Sequence, residues 1–177
     1  MAASLSPALV LQLKLMVREA EKRFADAEAL QSAPVSTSDS GYLLQLLGFE
    51  LLLKACVKAH RASFGRNHSY IDLWRKLPSD VQTKLLAAAQ NRMAGVADYS
   101  DLSKLLKTWS QNFVSLRYPY EKSEGLTPDQ YRARSEAWVA AGAPHSQADF
   151  VYYPHELFGL RCSLREHLQA WMASHSA

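Results

Sequence analysis

Apolar side chains recur every three to four positions along most of this chain, the spacing that lays them on one face of an α-helix. Leu9, Leu13, Met16, Ala20 and Phe24 form the first such stripe, with Lys14, Arg18, Glu21 and Lys22 on the other side. Ser6 before Pro7 reads as an N-cap ahead of a proline in the first turn, and the pattern continues to Leu30. The segment from Ser32 to Asp39 has loop composition. A second helix is expected from Ser40 to Ser63; its middle, Leu43 to Val57, is apolar nearly all round, as in a central buried helix. Gly65-Arg66-Asn67 then ends it with turn chemistry.

Shorter elements follow. A brief helix is expected from Tyr70 to Lys76, closed by Leu77-Pro78. Ser79 is the expected cap of a fourth helix reaching Met93, with Val81, Leu85, Leu86 and Ala89 facing inward. After the loop around Gly95, Ser100 is the expected cap of a fifth. On it Leu102, Leu105, Leu106, Trp109, Phe113 and Leu116 make one stripe. Tyr118-Pro119 stops or kinks that helix, since proline removes a donor and crowds the preceding turn. Thr127-Pro128 opens a polar helix to Ala140, which Gly142-Ala143-Pro144 closes. Pro154 starts the last one, where Leu157, Leu160, Leu164, Leu168 and Trp171 repeat. Only Phe150 to Tyr153 suggests period-two alternation. The pattern therefore predicts an all-α antiparallel bundle, a single domain over 1–177 in which 122–153 is an insertion before the last helix.

Composition changes this picture little. With 177 residues, 48% hydrophobic and 21% charged, the chain has the means to bury a core. A net charge of +3 is too small to mark a dedicated polyanion binder, but leaves room for a local basic patch. Cys56 and Cys162 sit in apolar helical settings and are expected to be reduced core thiols. The start, Met1 to Pro7, lacks the basic region and cleavage site of a secretory signal. Tyr42 to Val57 is short for a membrane span and is broken by Gln45, Glu50 and Lys54. A soluble, cytoplasmic protein with no membrane association is expected. No Gly-rich phosphate loop, zinc-spaced Cys/His set or nucleophile elbow occurs, so no cofactor is expected. His145 and His155 read as loop residues rather than metal ligands.

Three groups of residues carry chemistry. Glu50 and Lys54, four apart, share one face of the central helix in the favourable order, with Lys58 and Arg61 projecting nearby one and two turns later. Such a pair either pins the helix to a neighbour or begins a polar seam leading to a site. Lys58, His60, Arg61, Arg66, His68 and Tyr70 gather cations and rings at a helix–loop–helix junction. That combination suits phosphate or a base, and equally a solvated helix end. Arg117 falls at the edge of the apolar stripe, followed by Tyr118, Tyr120 and Glu121 where proline breaks the helix. Its guanidinium suits an anion or a base, or an ion pair with Glu121 or Glu50.

The order of these segments resembles the HEPN superfamily. The leucine-rich helix with Glu50 and Lys54 comes first. Gly65-Arg66-Asn67-His68, leading into Leu73-Trp74-Arg75-Lys76-Leu77-Pro78, looks like that family's His-x-Leu-type junction. Phe113 to Glu121 looks like its Arg-Tyr-x-Tyr-Glu-type segment. The resemblance covers roughly Ser38 to Glu121. It implies a helical bundle that forms a homodimer, and association with RNA cleavage, toxin–antitoxin pairs or antiviral defence. The family's ribonuclease signature is an arginine, four to six residues, then a histidine. After Arg117 the residues at those spacings are Lys122, Ser123 and Glu124, so the histidine is absent there. Arg61 with His68, and Arg161 with His167, do fit. On a straight helix Arg161 and His167 lie about 240° apart, so that pair meets one phosphate only across a dimer or a bend. The first expectation is a HEPN-like domain binding RNA, a nucleotide or a protein partner through Arg117, Tyr118, Tyr120, Glu121, Glu50, Lys54, Arg61, Arg66 and His68. The alternatives are a metal-independent endoribonuclease using Arg161 and His167 across a dimer, and a purely structural helical adaptor.

Overall fold

A computed structural model of the chain describes residues 6–32, 38–60, 63–66 and 68–175. The protein is all-α, and no strand occurs among the described residues. The helices are α1 (Pro7–Gln31), α2 (Ser40–Ala59), α3 (Tyr70–Arg75), α4 (Ser79–Arg92), α5 (Leu102–Ser115), α6 (Pro128–Ala140) and α7 (Pro154–His175). Short 3-10 turns cover Pro119–Ser123 and His145–Gln147.

The hydrophobic stripes account for the packing. Leu13, Ala20, Phe24 and Ala27 turn inward from α1, with Leu9 and Met16 half-buried beside them. They meet α2, which runs antiparallel: Gly41 lies against Ala27 and Gln31, and Gly48 against Phe24. A β-carbon at position 48 would sit 2.6 Å from the Phe24 ring, so the two helices approach this closely only because Gly48 has no side chain. Leu46, Phe49, Leu52, Leu53, Cys56 and Val57 are buried on α2, which also packs on α3, α5 and α7. Around it Trp109 of α5 meets Phe49 edge to face at 5.3 Å, and Leu157, Leu160, Leu164 and Leu168 close the core from α7. Among the described residues α2 is the one helix long and apolar enough to cross a membrane, and most of it is covered by this packing, as a core helix is. Cys56 and Cys162 are free and buried, as their apolar settings predict.

Several boundaries differ from expectation. α2 ends at Ala59, four residues early, and the Ser63 carbonyl instead accepts from Lys76 Nζ at 2.8 Å. Asn67, and the expected helical residues Arg61 and Ala62, lie outside the described residues. Ser79 is the first residue of α4, with Pro78 in the cap position. Asp101, not Ser100, caps α5: its Oδ1 accepts from Lys104 N at 2.9 Å, and a carboxylate also suits the positive helix end. α5 stops at Ser115, ahead of Tyr118-Pro119. The 150–153 segment is not a strand. Asn112 Nδ2 donates to the Val151 carbonyl, and Tyr152 donates to Asp39. Side chains thus supply what a partner strand would. α6 carries the full capping box of Thr127 and Gln130 but has no buried residue, so local signals hold it as a helix more than burial does.

Candidate functional site

Glu50 lies on the buried side of α2, with 4% of its side chain exposed. Such a carboxylate is tolerated only when its oxygens are satisfied. Lys54 Nζ approaches Oε1 to 2.6 Å from one turn later, and the Lys54 side chain is itself only 13% exposed. The second partner comes from outside the helix. His68, in the loop before α3, brings Nδ1 to 2.9 Å from Oε1 and 3.1 Å from Oε2. With the carboxylate on Nδ1, that nitrogen carries the proton, and Nε2 is left free to accept one.

His68 is half-exposed and rests on α5: its ring lies 5.7 Å from that of Phe113. The same Phe113 ring carries the Arg117 guanidinium at 4.4 Å, and Arg117 Nε donates to the Phe113 carbonyl at 3.1 Å. The fifth helix's stripe therefore positions both His68 and Arg117, by seating in the core the Phe113 ring over which the guanidinium lies. Arg66, His68, Ser69, Ser110, Gln111, Val114 and Ser115 line a shallow groove of about 550 Å³ beside this cluster. Ser69 also opens α3, and its hydroxyl accepts from Asp72 N. Chemically the groove offers a guanidinium, an imidazole on a buried carboxylate, hydroxyls and an amide. These are groups that suit a phosphate or a nucleotide edge. Lys54 and Lys58 lie 5.7 and 5.9 Å from the Phe64 ring, near the start of the same loop.

Of the residues singled out by sequence, Glu50, Lys54 and His68 form one connected unit, with Arg66 on the groove and Arg117 across Phe113. Arg117 forms no ion pair with Glu50 or Glu121, because the ring and the backbone carbonyl take its guanidinium. Tyr118 and Tyr120 pack edge to face at 6.2 Å and are exposed, apart from the buried pair, and Glu121 stands in the 3-10 turn that follows. Tyr70 is no base-stacking ring. It is fully buried and donates to the Leu46 carbonyl at 2.9 Å, and burial holds its hydroxyl well above the usual phenol range. Arg61 lies outside the described residues.

Arg161 and His167 occupy different surroundings. Arg161 points to α1, where it meets Glu28 at 3.2 Å and stacks on Phe24 at 4.2 Å. His167 points to the end of α2, its Nε2 3.1 Å from that of His60. Burial lowers the pKa of both imidazoles below the ordinary histidine value. Sequence reasoning missed two pairings, His68 with Glu50 and His60 with His167. Separations of 18 and 107 residues leave no periodic trace of either. His145 opens its 3-10 turn beside Tyr153, whereas His155 lies in the first turn of α7 and not in a loop. Among the described residues, no three His, Cys, Asp or Glu side chains gather as a metal site. No family model matches this chain, and neither does any curated protein or solved structure.

Proposed function

We propose that this chain is a HEPN-like helical domain that binds RNA or a nucleotide in the groove between the loop before α3 and the outer face of α5. The observation that carries the reading is His68 held on buried Glu50 beside Arg66, with Arg117 stacked over the shared Phe113. A purely structural adaptor needs Glu50 neutralised, which Lys54 alone already does; it needs no imidazole on that carboxylate at the edge of a groove. Membership of a toxin–antitoxin or defence system, and a homodimer, are part of the same proposal and follow from the resemblance. The test is fluorescence anisotropy of a labelled single-stranded RNA, and of a labelled nucleotide, at low salt. Arg66→Ala and Arg117→Ala should each weaken binding about tenfold, the worth of one charge-assisted hydrogen bond, with the thermal midpoint unchanged. Absence of binding by the wild type, or lost stability at unchanged affinity, overturns the reading in favour of the adaptor.

One observation favours a second reading, metal-independent RNA cleavage at this groove. A carboxylate fixing Nδ1 leaves His68 Nε2 as a general base for a ribose 2′-hydroxyl, with Arg66 near the phosphate. His68 is also the histidine that follows Arg61 after six intervening residues. Chelator-resistant cleavage lost in His68→Ala but kept in His167→Ala is the expected result. No cleavage by the wild type leaves binding alone.

A further inference from the structure

The last turn of α2 and the middle of α7 meet through two imidazoles. His60, the C-terminal cap of α2, and His167 face each other with Nε2 atoms 3.1 Å apart and ring centroids 5.4 Å apart. The centroid separation exceeds the N···N distance by about one ring radius at each end, so the nitrogens meet end-on. One of them must then donate to the other's lone pair. Both side chains are part-buried, so an ion has access from solvent. Along α2, His60 is ten positions from Glu50, about 15 Å, so this is a different place from the groove.

We propose that His60 and His167 form a two-imidazole site for a first-row divalent ion such as Zn²⁺ or Cu²⁺, clamping α2 to α7. Nitrogens 3.1 Å apart, each about 2.05 Å from an ion, subtend roughly 100° at it, between square-planar and tetrahedral angles. Each ring turns toward the ion to bring its lone pair onto it. The donating ring moves its proton from Nε2 to Nδ1 through solvent, so two neutral imidazoles bind and no net proton is lost. The groups around the pair are Asp80 and Lys84 of α4 and His175 of α7. Asp80 favours a cation and Lys84 opposes it; the two pair with each other at 3.5 Å. His175 is stacked on Trp171 at 4.3 Å with Nδ1 2.8 Å from the Trp171 carbonyl. Its ring is thus held against Trp171 rather than counted as a ligand, and water takes the remaining coordination positions. Burial lowers the pKa of both imidazoles, which favours the neutral form that ligates.

The experiment uses the full, untagged chain. Titration with Zn²⁺ by calorimetry should give one saturable 1:1 event, and Zn²⁺ should raise the thermal midpoint, because the ion binds the folded state. In NMR spectra Zn²⁺ should shift the ring-proton signals of His60 and His167 first. His60→Gln and His167→Gln should each weaken binding at least about tenfold, while His145→Gln and His155→Gln bind as wild type does. No saturable binding, wild-type affinity in either His60→Gln or His167→Gln, or ring shifts confined to other histidines overturns the proposal. The wild-type NMR result decides the matter even if a variant fails to fold.

Discussion

Glu50 concentrates the local energetics of the site. Its carboxylate is buried, its partners Lys54 and His68 come from one turn later and from a separate loop, and the Lys54 ammonium is less costly to bury because of it. Glu50→Ala strands Lys54, only 13% exposed, without a counter-charge. The expected loss of stability is about 3 kcal/mol, measured by urea denaturation. A change below about 0.5 kcal/mol would mean that the pair behaves as an exposed one. Lys54 was legible as the partner because four residues on a helix is a local distance. His68 was legible as a candidate, but not as the group that Glu50 holds.

At the scale of elements, α2 and α6 are opposites. α2 is apolar nearly all round and exists as a helix because most of it is covered by its neighbours. α6 buries nothing and relies on Thr127, Gln130 and the proline that follows the cap. Thr127→Ala should therefore quicken amide exchange across 128–140 about fivefold, the effect of losing about 1 kcal/mol of capping. The global unfolding midpoint should hold. A drop in that midpoint would show α6 to be part of the cooperative unit. The bounds of α6 were readable to the residue because its signals are local. The start of α2 at Ser40 was as legible, whereas its end comes at Ala59, four residues before the expected Ser63. The α5 cap went to Asp101 over Ser100 for a reason the sequence contained, the greater worth of a carboxylate at a helix N-terminus.

At the scale of the whole molecule, the two thiols report on the core. Cys56 and Cys162 are both buried, and burial pushes the Cys56 thiol well above the usual range, away from the reactive thiolate. Ellman's reagent should thus label neither in the native protein, and both should react at one rate, that of global unfolding. Rapid labelling of one alone would show that its helix opens independently. The close approaches that build this core are set by absent side chains. Gly48 admits Phe24, and at Gly159 a β-carbon would fall on the Tyr99 hydroxyl, which donates to the Glu156 carbonyl.

What the sequence determined by itself is the all-α class, the order of the helices, the inward-facing stripes of α1, α4, α5 and α7, and the Glu50–Lys54 pair. All of these follow from spacings within one helix, where 3.6 residues per turn converts position into direction. Only the tertiary structure decided that His68 closes on Glu50, that Phe113 seats both His68 and Arg117, that Tyr70 belongs to the core, and that His167 meets His60 while Arg161 turns away to Glu28. Each of these depends on which helix lies beside which. Packing of whole apolar faces sets that arrangement, and a polar residue's neighbours in sequence carry no record of it.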